Sequence, residues 1–389
     1  MHKAFLTAMA LMAGGPAAAE TVRLDWLQHQ VTPPVVLSNL AGDPADLGLA
    51  GARLSLADIA TTGKFLKIDW DLHETVVAPE EDFLAAAQRL LAAGARVLIV
   101  RAPAADLLAL ADLPEAQGAL IFNTAAPEPR LRAEDCRANV LHTLPSTAMR
   151  TDALAQQLRT KRWESLALIT GPQPEDRAFA AALKASLTKF GLTLAGEKDW
   201  PLSADMRRSG AAEVPLFTQD LPEHDLLLVA DERGDFARYI PFNTWLPRPV
   251  AGSEGLTAKG WTEVVEDYGA AQLQLRFRSA ASRPMQDADF AAWVAIAAIS
   301  DARTRTGTAD PAALRSFLLS DKARIAAFLG QPVSFRPWDG QMRQPMPLVT
   351  ERAVVAMAPL EGFLHQTNEL DTLGSDRPET LCKAFGATP

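Results

Sequence analysis

Residues 334–350 read S-F-R-P-W-D-G-Q-M-R-Q-P-M-P-L-V-T. The stretch predicts a hairpin. Residues 333–336 alternate as a strand, Pro337-Trp338-Asp339-Gly340 forms a turn, and residues 347–349 begin the return. Proline presets φ at the start of such a turn, and glycine tolerates the positive φ that closes it. A tryptophan at the tip, flanked by Arg336 and Arg343, has two readings. It packs between two domains as a half-buried indole, or it offers a flat aromatic and two cations to a planar anion.

Working outward, two long helices are predicted just upstream. Residues 287–306 carry Phe290, Trp293, Val294, Ile296, Ala297 and Ile299, and residues 310–329 open on Asp310 as N-cap with Pro311 behind it. Downstream, residues 353–357 form the return strand, and 366–389 form a polar tail without periodicity that holds Cys382. Further back the pattern alternates. Strands at 22–27, 68–77, 96–100 and 119–123 are separated by helices at 47–62, stopped by Gly63, at 81–93, and at 104–111. The run at 96–100 is continuously apolar, as in a parallel strand buried on both faces. After 140–143 and a helix at 147–159 the pattern restarts. Strands at 165–170, 192–197, 225–230 and 249–252 alternate with a helix at 174–190 and a helical segment from 231 to 239. The fold class is therefore α/β, with two doubly wound, mostly parallel sheets.

The chain has 389 residues, 48% of them hydrophobic, enough for two cores. A formal charge of −9 argues against nucleic acid, which needs a basic face. Residues 1–19 read as a cleavable signal peptide: Lys3, an apolar run at 4–13, and an A-x-A site before Glu20. The run is too short to span a bilayer, so a free periplasmic protein without membrane insertion is expected. The two cysteines, Cys136 and Cys382, form an even count for an oxidising compartment. One disulfide tying the tail to the first half of the chain is expected, with two separate thiols as the alternative.

There is no G-x-G-x-x-G, P-loop, H-E-x-x-H or C-x-x-C. A-G-S-E-G at 251–255 lacks the first glycine of a nucleophile elbow, and six histidines make a hydrolase triad a poor fit. No catalytic residue is assigned, and an enzyme is not expected. Asp69, Asp71 and His73 share one strand face. They read as the solvated side of an edge strand, so no metal site is expected.

The order of elements, two α/β units followed by a helix pair and a closing strand pair, resembles a type I periplasmic solute-binding protein of the Leu/Ile/Val-binding class. C-R-A-N-V-L-H-T-L-P-S at 136–146 fits that family's crossover toward the second domain. S-F-R-P-W-D-G-Q-M-R-Q-P at 334–345, A-V-V-A-M-A-P-L-E-G-F-L-H-Q at 353–366 and N-E-L-D-T-L-G at 368–374 resemble the branch associated with PQQ-dependent alcohol dehydrogenase systems. The resemblance implies two lobes joined by a multi-strand hinge. Lobe 1 would comprise 20–145 plus 254–333, lobe 2 would comprise 146–253 plus 334–365, and 366–389 would be a C-terminal tail. It implies capture of a small ligand, with pyrroloquinoline quinone (PQQ) as the leading candidate, for uptake by an ABC permease or delivery to a quinoprotein dehydrogenase. The other readings are a ligand-independent accessory of such a dehydrogenase and a binder of another organic acid or amino acid. A monomer is expected, and no cofactor is required beyond PQQ as bound ligand.

In such a fold the ligand lies between the lobes, at the carboxyl ends of the strands. The strand-end residues are Gln28, His29, Arg101, Asn123, Thr124, Asp231 and Glu232. A planar tricarboxylate needs cations, donors and a stacking surface. Arg101 and His29 supply the first, Asn123 and Thr124 the second, and Trp338 with Arg343 the third.

Overall fold

The computed structural model describes residues 19–33, 42–201 and 206–386, so the expected signal peptide lies almost wholly outside the described residues. In chain order the first unit comprises β1 (Glu20–His29), α1 (Leu49–Leu66), β2 (Ile68–Val77), α2 (Phe83–Ala92), β3 (Val97–Arg101), α3 (Ala104–Ala111), β4 (Leu120–Asn123) and β5 (Val140–His142). Its strands form one parallel sheet, ordered β2-β1-β3-β4-β5. The apolar runs of β3 and β4 are fully buried apart from Arg101, because helices cover both faces of a parallel sheet.

The second unit follows with α4 (Thr147–Lys161), β6 (Ser165–Thr170), α5 (Pro174–Lys189), β7 (Thr193–Asp199), α6 (Met206–Thr218), β8 (Leu226–Ala230) and β9 (Val250–Gly252). Its parallel sheet is ordered β7-β6-β8-β9. Next come β10 (Thr257–Ala258), α7 (Ala270–Ala281), α8 (Asp287–Thr306), α9 (Pro311–Leu318), β11 (Ser334–Phe335), β12 (Met342–Arg343), β13 (Met346–Val349) and β14 (Val354–Ala358). Helix α8 returns to the first unit and packs on α1. A Cβ on Gly51 would lie 1.9 Å from the backbone oxygen of Asp289, so only glycine permits this approach.

Two cores result. One joins the first sheet to α7, α8, α9, Phe335 and Met342, and the other joins the second sheet to α4, α5, Ala258, Met346, Leu348 and Leu373. Each sheet reverses its strand order once, between β1 and β3 and between β6 and β8. Such reversals open a crevice at the carboxyl ends of the strands.

Several elements differ from the sequence reading. Helix α1 does not stop at Gly63 but runs to Leu66, with Lys67 in the left-handed conformation at its C-cap. Gly63 instead admits a close approach, since a Cβ there would lie 2.6 Å from the oxygen of Ile68. Helix α9 ends at Leu318 and not at 329, because the Ser320 hydroxyl donates to the Phe317 carbonyl (2.6 Å) and the chain folds back, pairing Ile325 with Val333. The helix expected from 231 is one 3-10 turn at Ala237–Tyr239. Helices α6 and α7 have no counterpart in the sequence reading. The 334–350 hairpin is two devices. β11 pairs with β12 around the Pro337–Gly340 turn, while β13 pairs with β14 and β10.

Candidate ligand cleft between the lobes

Two of the stretches by which the chain passes between the cores, at 144–145 and 259–261, line a cavity of about 490 Å³. Its wall takes Arg101 from the end of β3, Leu144 and Pro145 from the first crossing, and Arg150 from α4. Lys259 and Trp261 come from the second crossing, and Gln286, Asp287 and Ala288 from the start of α8. Trp261 is held flat. Its ring stacks on Phe290 with centroids 4.6 Å apart, and its Nε1 donates to Gln274 Oε1 at 3.2 Å.

Three cations and three acids line the cavity: Arg101, Arg150 and Lys259 against Asp43, Glu263 and Asp287. Their pairings decide what the cavity offers. Arg101 Nη2 reaches Asp43 Oδ2 at 3.3 Å, and Arg150 grips Glu232 with two bonds of 2.6 and 3.1 Å. Glu263 is engaged by Arg278, and Asp287 Oδ1 accepts from the Trp261 backbone N–H at 2.8 Å. Lys259 forms no ion pair among the described residues. The Nε atoms of Arg101 and Arg150 are buried without a hydrogen-bond partner. The acids are thus occupied, whereas each lobe keeps an unanswered guanidinium nitrogen. Burial pushes the Arg101 pKa down, and the charges of Asp43 and Asp289 only partly counter it. Burial also pulls at Arg150, but the charge of Glu232 and its hydrogen bonds outweigh this, and its pKa is raised. An anion bridging the two arginines would supply the partner that each Nε lacks.

Of the strand-end residues picked from sequence, Arg101 alone lines this cavity. The others are engaged within the fold, although His29 Nε2 is buried without a hydrogen-bond partner. Gln28, beside Arg101 in the β1–β3 register, accepts from Trp26 Nε1 at 3.3 Å. His29 stacks on Phe83 and pairs with Asp106 at 2.8 Å. Asn123 closes its own turn, accepting from the N–H groups of Ala125 and Ala126 and donating to the Ala126 carbonyl. Thr124 Oγ1 donates to the Val100 carbonyl at 2.9 Å. Asp231 caps the turn after β8, accepting from the backbone of Asp235, Phe236 and Ala237. Glu232 is the counter-ion of Arg150 and also accepts from Ser253 Oγ at 2.9 Å. Trp338 is 6% exposed and donates from Nε1 to the Ser375 carbonyl at 3.2 Å. Arg343 stands over its ring at 5.0 Å and bonds Asp371 at 2.7 Å. Trp338 and Arg343 therefore face the tail and not the cavity.

The reading missed Arg150, Lys259 and Trp261. Arg150 lies inside a helix, and nothing in a single sequence says which helix face meets the opposite lobe. Lys259-Gly260-Trp261 lies on a crossing whose existence sequence does not mark.

Residues 35–208 match the family model described as "Periplasmic binding protein". No curated protein matches the chain. Among solved structures, the chain is similar to a branched-chain amino acid ABC transporter periplasmic ligand-binding protein from Burkholderia xenovorans LB400. That match has a TM-score of 0.71 at 16% identity and covers 94% of this chain and all of the other. A leucine-, isoleucine-, valine-, threonine- and alanine-binding protein from Brucella ovis, solved in a closed conformation, matches at TM-score 0.66 and 14% identity over 88% of this chain and 93% of its own. An ABC transporter solute-binding protein from Rhodopseudomonas palustris BisB5, in complex with 3,4-dihydroxybenzoic acid, matches at TM-score 0.62 and 14% identity over 85% and 93%. The two parallel sheets, the repeated crossings and these matches give the chain the two-lobed fold of the type I periplasmic binding proteins, with residues 35–208 matching the family's own model.

Proposed function

We propose that the chain is a non-enzymatic periplasmic solute-binding protein that captures a small carboxylate-bearing organic molecule between its lobes. It would pass the solute to an ABC-type permease or to a periplasmic quinoprotein dehydrogenase. The observation that carries this reading is the pair of buried, partnerless Nε atoms of Arg101 and Arg150, one from each lobe, on one cavity of about 490 Å³. Only the closed arrangement lets one carboxylate touch both, so the solute favours closure by its differential contacts. Trp261 borders the cavity with its ring packed in the first core against Phe290. A fold relative is in complex with 3,4-dihydroxybenzoic acid, which supports an aromatic acid as a candidate solute.

PQQ is the finer candidate, supported by the resemblance of residues 334–345, 353–366 and 368–374. The charge balance of the lining bears on it. Asp43 and Glu232 already neutralise Arg101 and Arg150, so a tricarboxylate would have to displace at least one of them. A monocarboxylate adds to the existing pairs without displacing either. The test is a titration of the purified protein with PQQ, 3,4-dihydroxybenzoate and leucine, followed by tryptophan fluorescence and melting temperature. At least one carboxylate is expected to quench or shift the fluorescence and raise the melting temperature, and Arg101→Ala is expected to weaken it by at least about tenfold. Silence from all three carboxylates would overturn the reading. Binding of another carboxylate with no response to PQQ would remove only the finer candidate.

A further inference from the structure

The lobes are joined a fourth time, by the tail. The chain passes between the two cores from Leu141 to Met149, from Ala258 to Trp261 and from Met342 to Met346. After β14 it passes again. Leu373 packs in the second core and Phe385 against the first.

Both ends of this last crossing are anchored. On the second lobe, the Gly374 N–H donates to Asp152 Oδ2 at 2.8 Å, Lys189 Nζ donates to the Gly374 carbonyl at 2.7 Å, and Gln156 Nε2 donates to Thr372 Oγ1 at 3.0 Å. On the first lobe, Cys382 is disulfide-bonded to Cys136, and the Arg315 guanidinium lies 5.0 Å over the Phe385 ring. The middle is pinned to the hinge. Asp371 Oδ1 accepts from Arg336 Nε at 2.8 Å and Arg343 Nε at 2.7 Å, and Trp338 Nε1 donates to the Ser375 carbonyl.

We infer that residues 371–385 are a strap, a disulfide-closed fourth crossing that restricts how far the lobes can rotate apart. Only residues 375–381 separate the Gly374 anchor from Cys382, a reach of at most about 28 Å when fully extended. A hinge rotation that moves Asp152 and Lys189 away from Cys136 must stretch this segment or break the hydrogen bonds that hold Gly374 to Asp152 and Lys189. The other three crossings are ordinary chain and can absorb rotation in their backbone dihedrals. The fourth is a closed loop through a covalent bond. Its bearing on affinity rests on the solute-capture reading above: by holding the solute-free protein near the closed arrangement, the strap raises the fraction competent to bind.

The test reads lobe separation directly and needs no solute. Small-angle X-ray scattering of the solute-free full chain is compared with two variants. One is the Cys136→Ser/Cys382→Ser double variant. The other keeps the disulfide but inserts about eight Gly/Ser residues between Glu379 and Thr380, adding roughly 15 Å of flexible reach. Both are expected to show a larger radius of gyration and a broader distance distribution than the native chain. If the double variant does not fold, the insertion variant decides. Scattering from the slackened protein that superimposes on the native curve would overturn the strap. Because no solute is present, that failure is distinguishable from failure of the solute-capture reading.

Discussion

Arg101 shows how far a single residue can be read in advance. Its place after an apolar strand marks it as a strand-end cation, and the β3 terminus delivers it to the cavity. Asn123, Thr124 and Asp231 carry the same signal; Asn123 and Asp231 are consumed by their own turns and Thr124 by the Val100 carbonyl of the adjacent strand, because short polar side chains satisfy nearby backbone groups first. Lys259 is expected to matter through charge. Lys259→Ala should weaken binding of a carboxylate by several-fold in titration calorimetry, with the loss shrinking as salt rises. Asp339 makes a different prediction. It is buried in the hinge turn, its Oδ2 lies 4.0 Å from Arg336 Nη1 without a hydrogen bond, and burial raises its pKa from 3.8 to about 6, against the opposing charges of Arg336 and Arg132. Between those values the folded protein holds a proton that the unfolded chain has lost. Stability therefore falls as pH rises through that window, and the cost is complete above about pH 6. Asp339→Asn should gain up to about 3 kcal/mol over the native chain near pH 7.5, and the gain should vanish near about pH 4 in denaturant titrations.

Among the elements, those with a strong period were legible and those set by packing were not. The buried strands β3, β4, β6 and β8 stand where continuous apolar runs placed them. The turn at Pro337–Gly340 also formed as its residues dictate, with Gly340 at φ 70°. What followed it did not. Residues 347–349 read as the start of the return of one hairpin, yet β13, which contains them, pairs with β14 and β10, because Met346 and Leu348 belong to the other core. The contact of α1 with α8 was invisible in sequence and gives a sharp prediction. Gly51→Ala drives a methyl into the Asp289 backbone, and should lower stability by about 2–3 kcal/mol in chemical denaturation. A retained midpoint would mean that the helices part without cost.

At the scale of the whole molecule, two lobes with separate cores meet at a cleft, and in the proposed function solute binding and closure are one equilibrium. A solute held at a hundred times its dissociation constant should add about 2.7 kcal/mol to stability, read as a concentration-dependent melting temperature. The same solute should contract the scattering envelope. The sequence alone determined the α/β class, the two repeating units and the pairing partners available to two cysteines, because periodicity and composition are properties of neighbours along the chain. Only the tertiary structure decided that Trp338 faces the tail while the Trp261 position borders the cavity, and that Arg150 answers Arg101 from the opposite lobe. Both depend on which helix face and which crossing meet in space. That is fixed by the packing of the two cores across hundreds of residues, and no local pattern encodes it.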